Sequence, residues 1–384
     1  MKQIPLAKPS FDDREVEAVR RVLESGWVVQ GPEVEAFEGA IARMHQCKHC
    51  IAVSSGTAAL HVCYLSLGIG PGDAVFVPSF AWPSAANMAM AVGARPVFVD
   101  VLPDTYNIDP DDLRQRVQQC IERKWGKPRA VVPVHEFGLA ADMDAVLGVA
   151  KEFNLDVIED AACALGATYE GKPVGTFGKM GIFSFHPRKA ITTGEGGAIV
   201  TNDAQLAERC RMWRNHGQVS KNSKRDFCVA GFNYRMTEIQ AAIGQVQLEK
   251  FPEILKRRKE IASQYLKGLG GCPGTSLPAN SPEHTWQTFM VVLDGHKDRS
   301  SVMERLAENG VGAAPGSLAG HCASVYQQEF GCKGPDLPVS NRLDFYGLAL
   351  PLYCGMTDED VDMCTAELQR MSKRQSPSSW RTKS

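Results

Sequence analysis

The sequence has almost no surplus of charge of either sign: 42 lysines and arginines stand against 44 aspartates and glutamates, a net of -2. That balance gives no electrostatic footprint for nucleic acid, whose phosphates demand a basic face. No apolar run is long enough to span a bilayer. No N-terminal stretch joins a basic start to an apolar run and a small-residue cleavage site. A cytoplasmic protein with no membrane partner is therefore expected. There is no internal repeat, and the Gly-x4-Gly-Lys-Ser/Thr spacing of an ATPase phosphate loop is missing. The twelve cysteines are scattered, and Cys63, Cys120, Cys210 and Cys364 sit in apolar or helical contexts, as reduced core thiols do. His45-Gln46-Cys47-Lys48-His49-Cys50 looks like half of a zinc site, but no second close Cys/His pair answers it, so no metal is expected.

What is present is an alternation of apolar strands and helices. The 384 residues, 44% hydrophobic with 35 glycines, can bury a large core in two or three domains. Helices are expected over 11–24 and 33–44, around a loop with an apolar centre at Trp27. Strands then fall at 51–53, 74–78, 96–100, 130–134 and 156–159, separated by helices at 56–67, 83–92, 111–123 and 143–153. Strands that are apolar throughout and separated by helices indicate an α/β fold, with a mainly parallel sheet covered on both faces. In such sheets ligands gather at the carboxyl ends of the strands.

Several polar residues occupy those ends. Ser54-Ser55-Gly56-Thr57 closes one strand and opens a helix, so it is either a plain N-cap or a set of free amides and hydroxyls for a phosphate. Trp82 follows the strand ending at Pro78, either as core packing or as an aromatic face for a planar ring. Asp160 ends the strand Val157-Ile158-Glu159 beside Ala161 and Ala162, where a carboxylate needs a cationic partner. That partner can belong to a structural ion pair or to a functional group. The chain turns on residues 181–197: an apolar strand, a polar turn holding Lys189, then Gly194, Gly196 and Gly197 before a second strand at 198–201. Lys189 is either a surface lysine in a turn or a desolvated amine. Desolvation would lower its pKa and free it to attack a carbonyl.

Beyond residue 202 the chain becomes helical, at 204–213 and 237–248, with a break near Pro252 and a resumption to 266. Between the first two helices lies a long polar loop, 214–235, of a length that is rarely idle. After a Gly/Pro/Ser-rich stretch near 270 a smaller α+β unit follows, with a strand at 288–293 and helices at 299–309 and 358–371. The tail, 372–384, is polar and expected to be disordered.

Taken together, from about residue 4 to 370, the chain resembles the DegT/DnrJ/EryC1/StrS family of sugar aminotransferases. The resemblance is carried by Gly26-Trp27 with Gln30-Gly31-Pro32, Ser54-Ser55-Gly56-Thr57-Ala58-Ala59-Leu60, Pro133-Val134-His135 and Glu159-Asp160-Ala161-Ala162. Ser184-Phe185 with Lys189, Gly194-Glu195-Gly196-Gly197, the run Asn233-Tyr234-Arg235-Met236-Thr237-Glu238 and Pro351-Leu352-Tyr353 with Met356-Thr357 complete it.

The resemblance implies the type I fold of pyridoxal 5′-phosphate (PLP) enzymes. Residues 1–250 would form a large PLP-binding domain with an N-terminal arm, and 251–371 a smaller C-terminal domain. It implies that Lys189 bonds the cofactor and shuttles a proton, while Asp160 pairs with the pyridinium nitrogen. Trp82 would stack on the ring. Gly56, Thr57 and Ser184 would hold the phosphate, Ala58 and Cys163 would also lie against the cofactor, and Asn233 would reach it from a neighbouring subunit. His186 and Trp27 would meet substrate. The implied activity moves an amino group, from glutamate, to a nucleotide-linked keto-sugar, in a homodimer with shared sites. A cyclitol ketone is the alternative substrate. Sugar-nucleotide dehydratases of this fold hold histidine where Lys189 stands, and a regulator fused to a DNA-binding unit would need a helix-turn-helix region or basic patch that is missing. Two departures stand out: Cys163 replaces the usual Gln or His, and the 314–330 stretch lacks the common Pro-Leu-His segment, although Pro315-Gly316 with His321 is similar to a variant of it.

Overall fold

Asp12 opens the first helix through a reciprocal cap: its side chain takes an N–H of the first turn, and Glu15 accepts from the Asp12 amide at 2.8 Å. The computed structural model describes residues 2–221, 224–293, 299–332 and 336–373. It carries α1 (Asp13–Ser25), α2 (Pro32–Met44), β1 (His49–Val53), α3 (Gly56–Leu67), β2 (Asp73–Pro78), α4 (Ser84–Ala91), β3 (Arg95–Val99) and α5 (Pro110–Glu122). Then come β4 (Lys127–Val131), α6 (Met143–Phe153), β5 (Asp156–Asp160), the short β6 (Thr168–Tyr169) and β7 (Lys172–Pro173), β8 (Met180–Ser184), β9 (Gly197–Thr201) and α7 (Ala204–Arg214). The remainder is β10 (Gln218–Lys221), β11 (Lys224–Phe227), α8 (Glu238–Leu269), β12 (Phe289–Val292), α9 (Arg299–Glu308), α10 (Ser324–Phe330), α11 (Pro338–Tyr346), β13 (Gly347–Leu350) and α12 (Asp358–Lys373).

The central sheet has seven strands in the order β1-β9-β8-β5-β4-β2-β3. Every pair from β8 to β3 is parallel, while β9 runs antiparallel to both β8 and β1. The sheet is therefore mostly parallel, as the apolar strands imply, and the exception follows from the connection after β8, residues 185–196, which carries no crossover helix. Gly197 is required where β9 meets the turn after β1: a Cβ there would lie 2.4 Å from the carbonyl carbon of Ser55. Successive strand residues face opposite layers. Ile51 and Val53 pack with Leu60, Val62 and Tyr64 of α3, whereas Cys50 and Ala52 pack with Phe37 and Ile41 of α2.

A second core lies in the C-terminal part, where Ile261, Tyr265 and Leu269 of α8 meet Phe289 of β12, Leu350 of β13 and Val361 of α12. Ile4 belongs to this cluster and pairs with Val311, so the N-terminal arm lies on the smaller unit. The expected boundary at 250/251 falls inside α8, whose Phe251 and Ile254 belong to the core under the sheet.

Two expectations are corrected. Helix α8 runs unbroken through Pro252. A proline inside a helix costs about 3 kcal/mol, but Phe251, Ile254, Ile261, Tyr265 and Leu269 are all buried along α8, and each buried apolar side chain stabilises by roughly 1.5–3 kcal/mol. The loop at 214–235 contains the β10–β11 hairpin, in register from Gln218↔Phe227 to Lys221↔Lys224. The elements α10, α11 and β13 were not foreseen. From residue 374 the expected tail lies outside the described residues.

Candidate active site

The ends of β1, β2, β4, β5 and β8 open on one cleft of about 430 Å³. Its first wall is the start of α3. Ser55 is the N-cap, and its hydroxyl takes the Ala58 amide at 3.1 Å. The cap leaves the Gly56 and Thr57 amides of the first turn unspent, and both residues line the cleft beside Ser184. Gly56 must be glycine for this approach, since a Cβ would lie 2.9 Å from the Ser184 Cβ. Ala58 is not among the residues that line the cleft: its amide is spent on the cap and its side chain is buried in the core.

Opposite lie the acid and the lysine. Asp160, 7% exposed, is fixed in the sheet by its N–H to Pro133 O and its carbonyl to the His135 amide. Its carboxyl accepts from the Ala162 amide at 3.0 Å. Burial pushes this carboxyl above the usual range, although the Ala162 amide, Lys189 and His135 pull the other way. Lys189 donates to Cys163 Sγ at 3.0 Å. Burial draws the amine down, but charge on Cys163, Asp160 and Glu136 outweighs it and holds Lys189 above the usual lysine value. The expectation of a lowered lysine pKa is thereby overturned for the cofactor-free chain: the surrounding acids exceed the desolvation effect.

Beneath the site, Glu159 anchors the strand ends. It accepts from the amides of Gly175, Phe177 and Gly178 at 2.6–2.7 Å and from His135 Nε2 at 3.1 Å. The Ala141 amide donates to His135 Nδ1, which fixes the proton of a neutral imidazole on Nε2. Glu159 is thus a satisfied structural carboxylate, and Asp160 is the acid left to the cleft.

At the mouth, Trp82 is 69% exposed rather than core, and His186, Arg188 and Glu195 stand around it. The cleft thus brings together Gly56, Thr57, Trp82, Asp160, Cys163, Ser184, His186 and Lys189. It does not include Trp27 or Asn233, both of which are exposed away from the cleft of their own chain. The Trp27 loop is instead held to α8: Glu238 accepts from the amides of Gly31, Glu33 and Val34, capping α2 with a negative charge. Glu136 also lines the cleft. Sequence reasoning missed it, because an acid between His135 and Phe137 in a loop carries no local signal of burial.

The sequence matches the DegT/DnrJ/EryC1/StrS aminotransferase family over residues 9–369. Among solved structures, DesV of S. venezuelae is 32% identical with a TM-score of 0.88, over 97% of this chain and 100% of that one. Helicobacter pylori PseC, an aminotransferase involved in the biosynthesis of pseudoaminic acid, is 26% identical with a TM-score of 0.90, over 97% and 100%. Spr1654 from Streptococcus pneumoniae, assigned as a sugar aminotransferase, is 27% identical in its PMP form with a TM-score of 0.90, over 97% and 98%. A PLP form of it is also known. The chain belongs to the DegT/DnrJ/EryC1/StrS aminotransferase family and is a PLP-dependent sugar aminotransferase.

Proposed function

We propose that the enzyme moves an amino group from glutamate to C3 or C4 of a nucleotide-linked keto-deoxyhexose, for a surface glycan or an antibiotic sugar, in the cytoplasm. The observation that carries the reading is one cleft holding the first-turn amides of a helix, a buried acid and a half-buried lysine.

Those groups suit the three ends of PLP. The Gly56 and Thr57 amides with the Ser184 hydroxyl suit its phosphate. Asp160, a buried carboxyl whose Oδ1 accepts from the Ala162 amide, suits a protonated ring nitrogen, which would supply a positive charge. The Lys189 amine suits the aldehyde, and the exposed indole of Trp82 suits the face of the ring. When bound, the cofactor supplies an electron sink for breaking and making bonds at the carbon that carries nitrogen. Asp160 keeps a proton on the ring nitrogen. Lys189 Nζ takes a proton from one carbon and returns it to the other, a transfer it can make only as the neutral amine.

Arg188 is a cation lining the cleft and His186 a ring donor beside it, where the diphosphate of a sugar nucleotide would need them. In this reading residues up to about 250 hold the cofactor and 251–371 close over it. The working unit is a two-fold dimer. Support comes from Asn233, which lies outside its own cleft, and from Trp27, Val29 and Phe227, large apolar side chains left exposed. Asn233 and Trp27 would then serve the partner's site.

The test is a panel of nucleotide keto-sugars with glutamate, each product read by mass spectrometry. An amino-sugar nucleotide formed only with glutamate supports the reading. Amination of a cyclitol ketone, with every nucleotide sugar inert, overturns it.

A further inference from the structure

Glu136 sits on the short helical turn Glu136–Gly138 after β4. It is 5% exposed, and its carboxyl opens on the same cleft as Lys189. The main chain around it is held by residues far away in sequence. Its N–H donates to Asn107 Oδ1 at 2.8 Å, and Asn107 Nδ2 in turn donates to the carbonyls of Leu139 and Ala140. Phe137 is held at a φ of 54° while its carbonyl accepts from the Gln287 amide, and the Gly138 carbonyl accepts from the Thr285 amide. A non-glycine residue keeps such a left-handed conformation only when its surroundings impose it. All these contacts fix backbone. Among the described residues no hydrogen bond engages the Glu136 carboxyl, which is left to the cleft.

We propose that Glu136 is a positioning residue for Lys189, the acid that sets when Nζ carries its proton. The proposal rests on Lys189 being the cofactor lysine. The titratable and charged groups that share the cleft with Glu136 are Lys189, His186, Arg188 and Glu195 from the connection after β8 and Asp160 and Cys163 from the end of β5. Its neighbour His135 is committed to Glu159 and to the Ala141 amide. Burial drives the Glu136 carboxyl up to about 8, with Lys189 drawing it down and Asp160 pushing it further up. Coupling between two titrating groups is reciprocal, so Glu136 raises Lys189 as Lys189 lowers Glu136. Near neutrality the carboxyl is protonated and adds little to the hold on an ammonium. Above its own titration it becomes an anion facing Nζ and keeps Lys189 charged. A permanently ionised acid at this place would oppose the neutral amine that transamination needs, and burial prevents that. A glutamine would supply no charge at any pH.

The test uses the full-length protein stripped of cofactor, with reductive methylation of Lys189 read by peptide mass spectrometry across pH. Glu136→Gln is expected to move the midpoint of Lys189 reactivity down by about one unit, the lower end of what a facing charge contributes. Glu136→Asp, which keeps the charge, is expected to hold the midpoint near wild type. An unchanged midpoint in Glu136→Gln, or an equal fall in Glu136→Asp, overturns the proposal. Borohydride reduction of the loaded wild type locates the cofactor lysine separately. A label on another lysine removes the reading on which the proposal rests, while the midpoint comparison still reports the coupling.

Discussion

Lys189 Nζ lies 3.0 Å from Cys163 Sγ, a contact that ties the turn after β8 to the end of β5 across the cleft. The thiol is itself pushed up by burial, although Lys189 draws it down. The amine therefore rests on a soft sulfur atom rather than on a carboxylate. That arrangement keeps Lys189 ordered and still available to a carbonyl.

Lys189→Ala is expected to abolish turnover and the absorbance band of the lysine-bound cofactor, while the fold is kept. Borohydride-reduced wild type should carry the cofactor mass on the peptide that contains Lys189. A label on a different lysine would sink this assignment.

Asp160→Asn is nearly isosteric, and the Ala162 amide that bonds Asp160 Oδ1 can bond an amide oxygen as well. Folding and some cofactor binding should survive. Turnover should fall by roughly 10²–10⁴, the usual worth of a placed proton-holding group, because a neutral amide no longer keeps the ring nitrogen protonated. A variant with near wild-type rate would remove Asp160 from this role.

Much of the site was legible because its residues sit where local pattern changes. Asp160 ends an apolar strand, Ser55 and Gly56 turn a strand into a helix, and Lys189 stands in the one turn between β8 and β9. What stayed hidden depends on distant partners. Nothing near Glu136 announces that Asn107 and Gln287 will bury it. Pro252 reads as a break until the two cores that α8 joins are known. The strands of the β10–β11 hairpin are built of Gln218-Val219-Ser220-Lys221 and Lys224-Arg225-Asp226-Phe227, which lack the apolar alternation that marks a half-buried strand. The raised Lys189 was equally hidden, since three acids from two separate turns decide it.

Stability should fall on mild acidification. Burial pushes His45 down to about 4 and His284 down to about 3, against an unfolded value near about 6.5. As pH drops below the unfolded value, the unfolded chain binds protons that the folded chain refuses. Their contribution is whole above that value and declines as pH falls, until each histidine titrates in the fold. The urea midpoint at about pH 4.5 should lie below that at about pH 7.5, and His45→Gln with His284→Gln should narrow the gap. An unchanged gap would show that other groups set the acid response.

Asn233 is exposed outside the cleft of its own chain, in the polar segment that precedes α8. If its amide serves the partner's phosphate, a dimer of one Lys189→Ala chain and one Asn233→Ala chain places both lesions in one site and neither in the other. Two-fold symmetry requires that distribution, because each chain lends its Asn233 only to the opposite site. Coexpression should therefore recover about half of the wild-type activity per mixed dimer, well above either variant alone, provided that Asn233→Ala is itself impaired. A contact made within one chain would leave one lesion in every site and recover nothing. Light scattering supplies the second check, since a monomer at working concentration would rule out the shared site whatever the rescue assay gave.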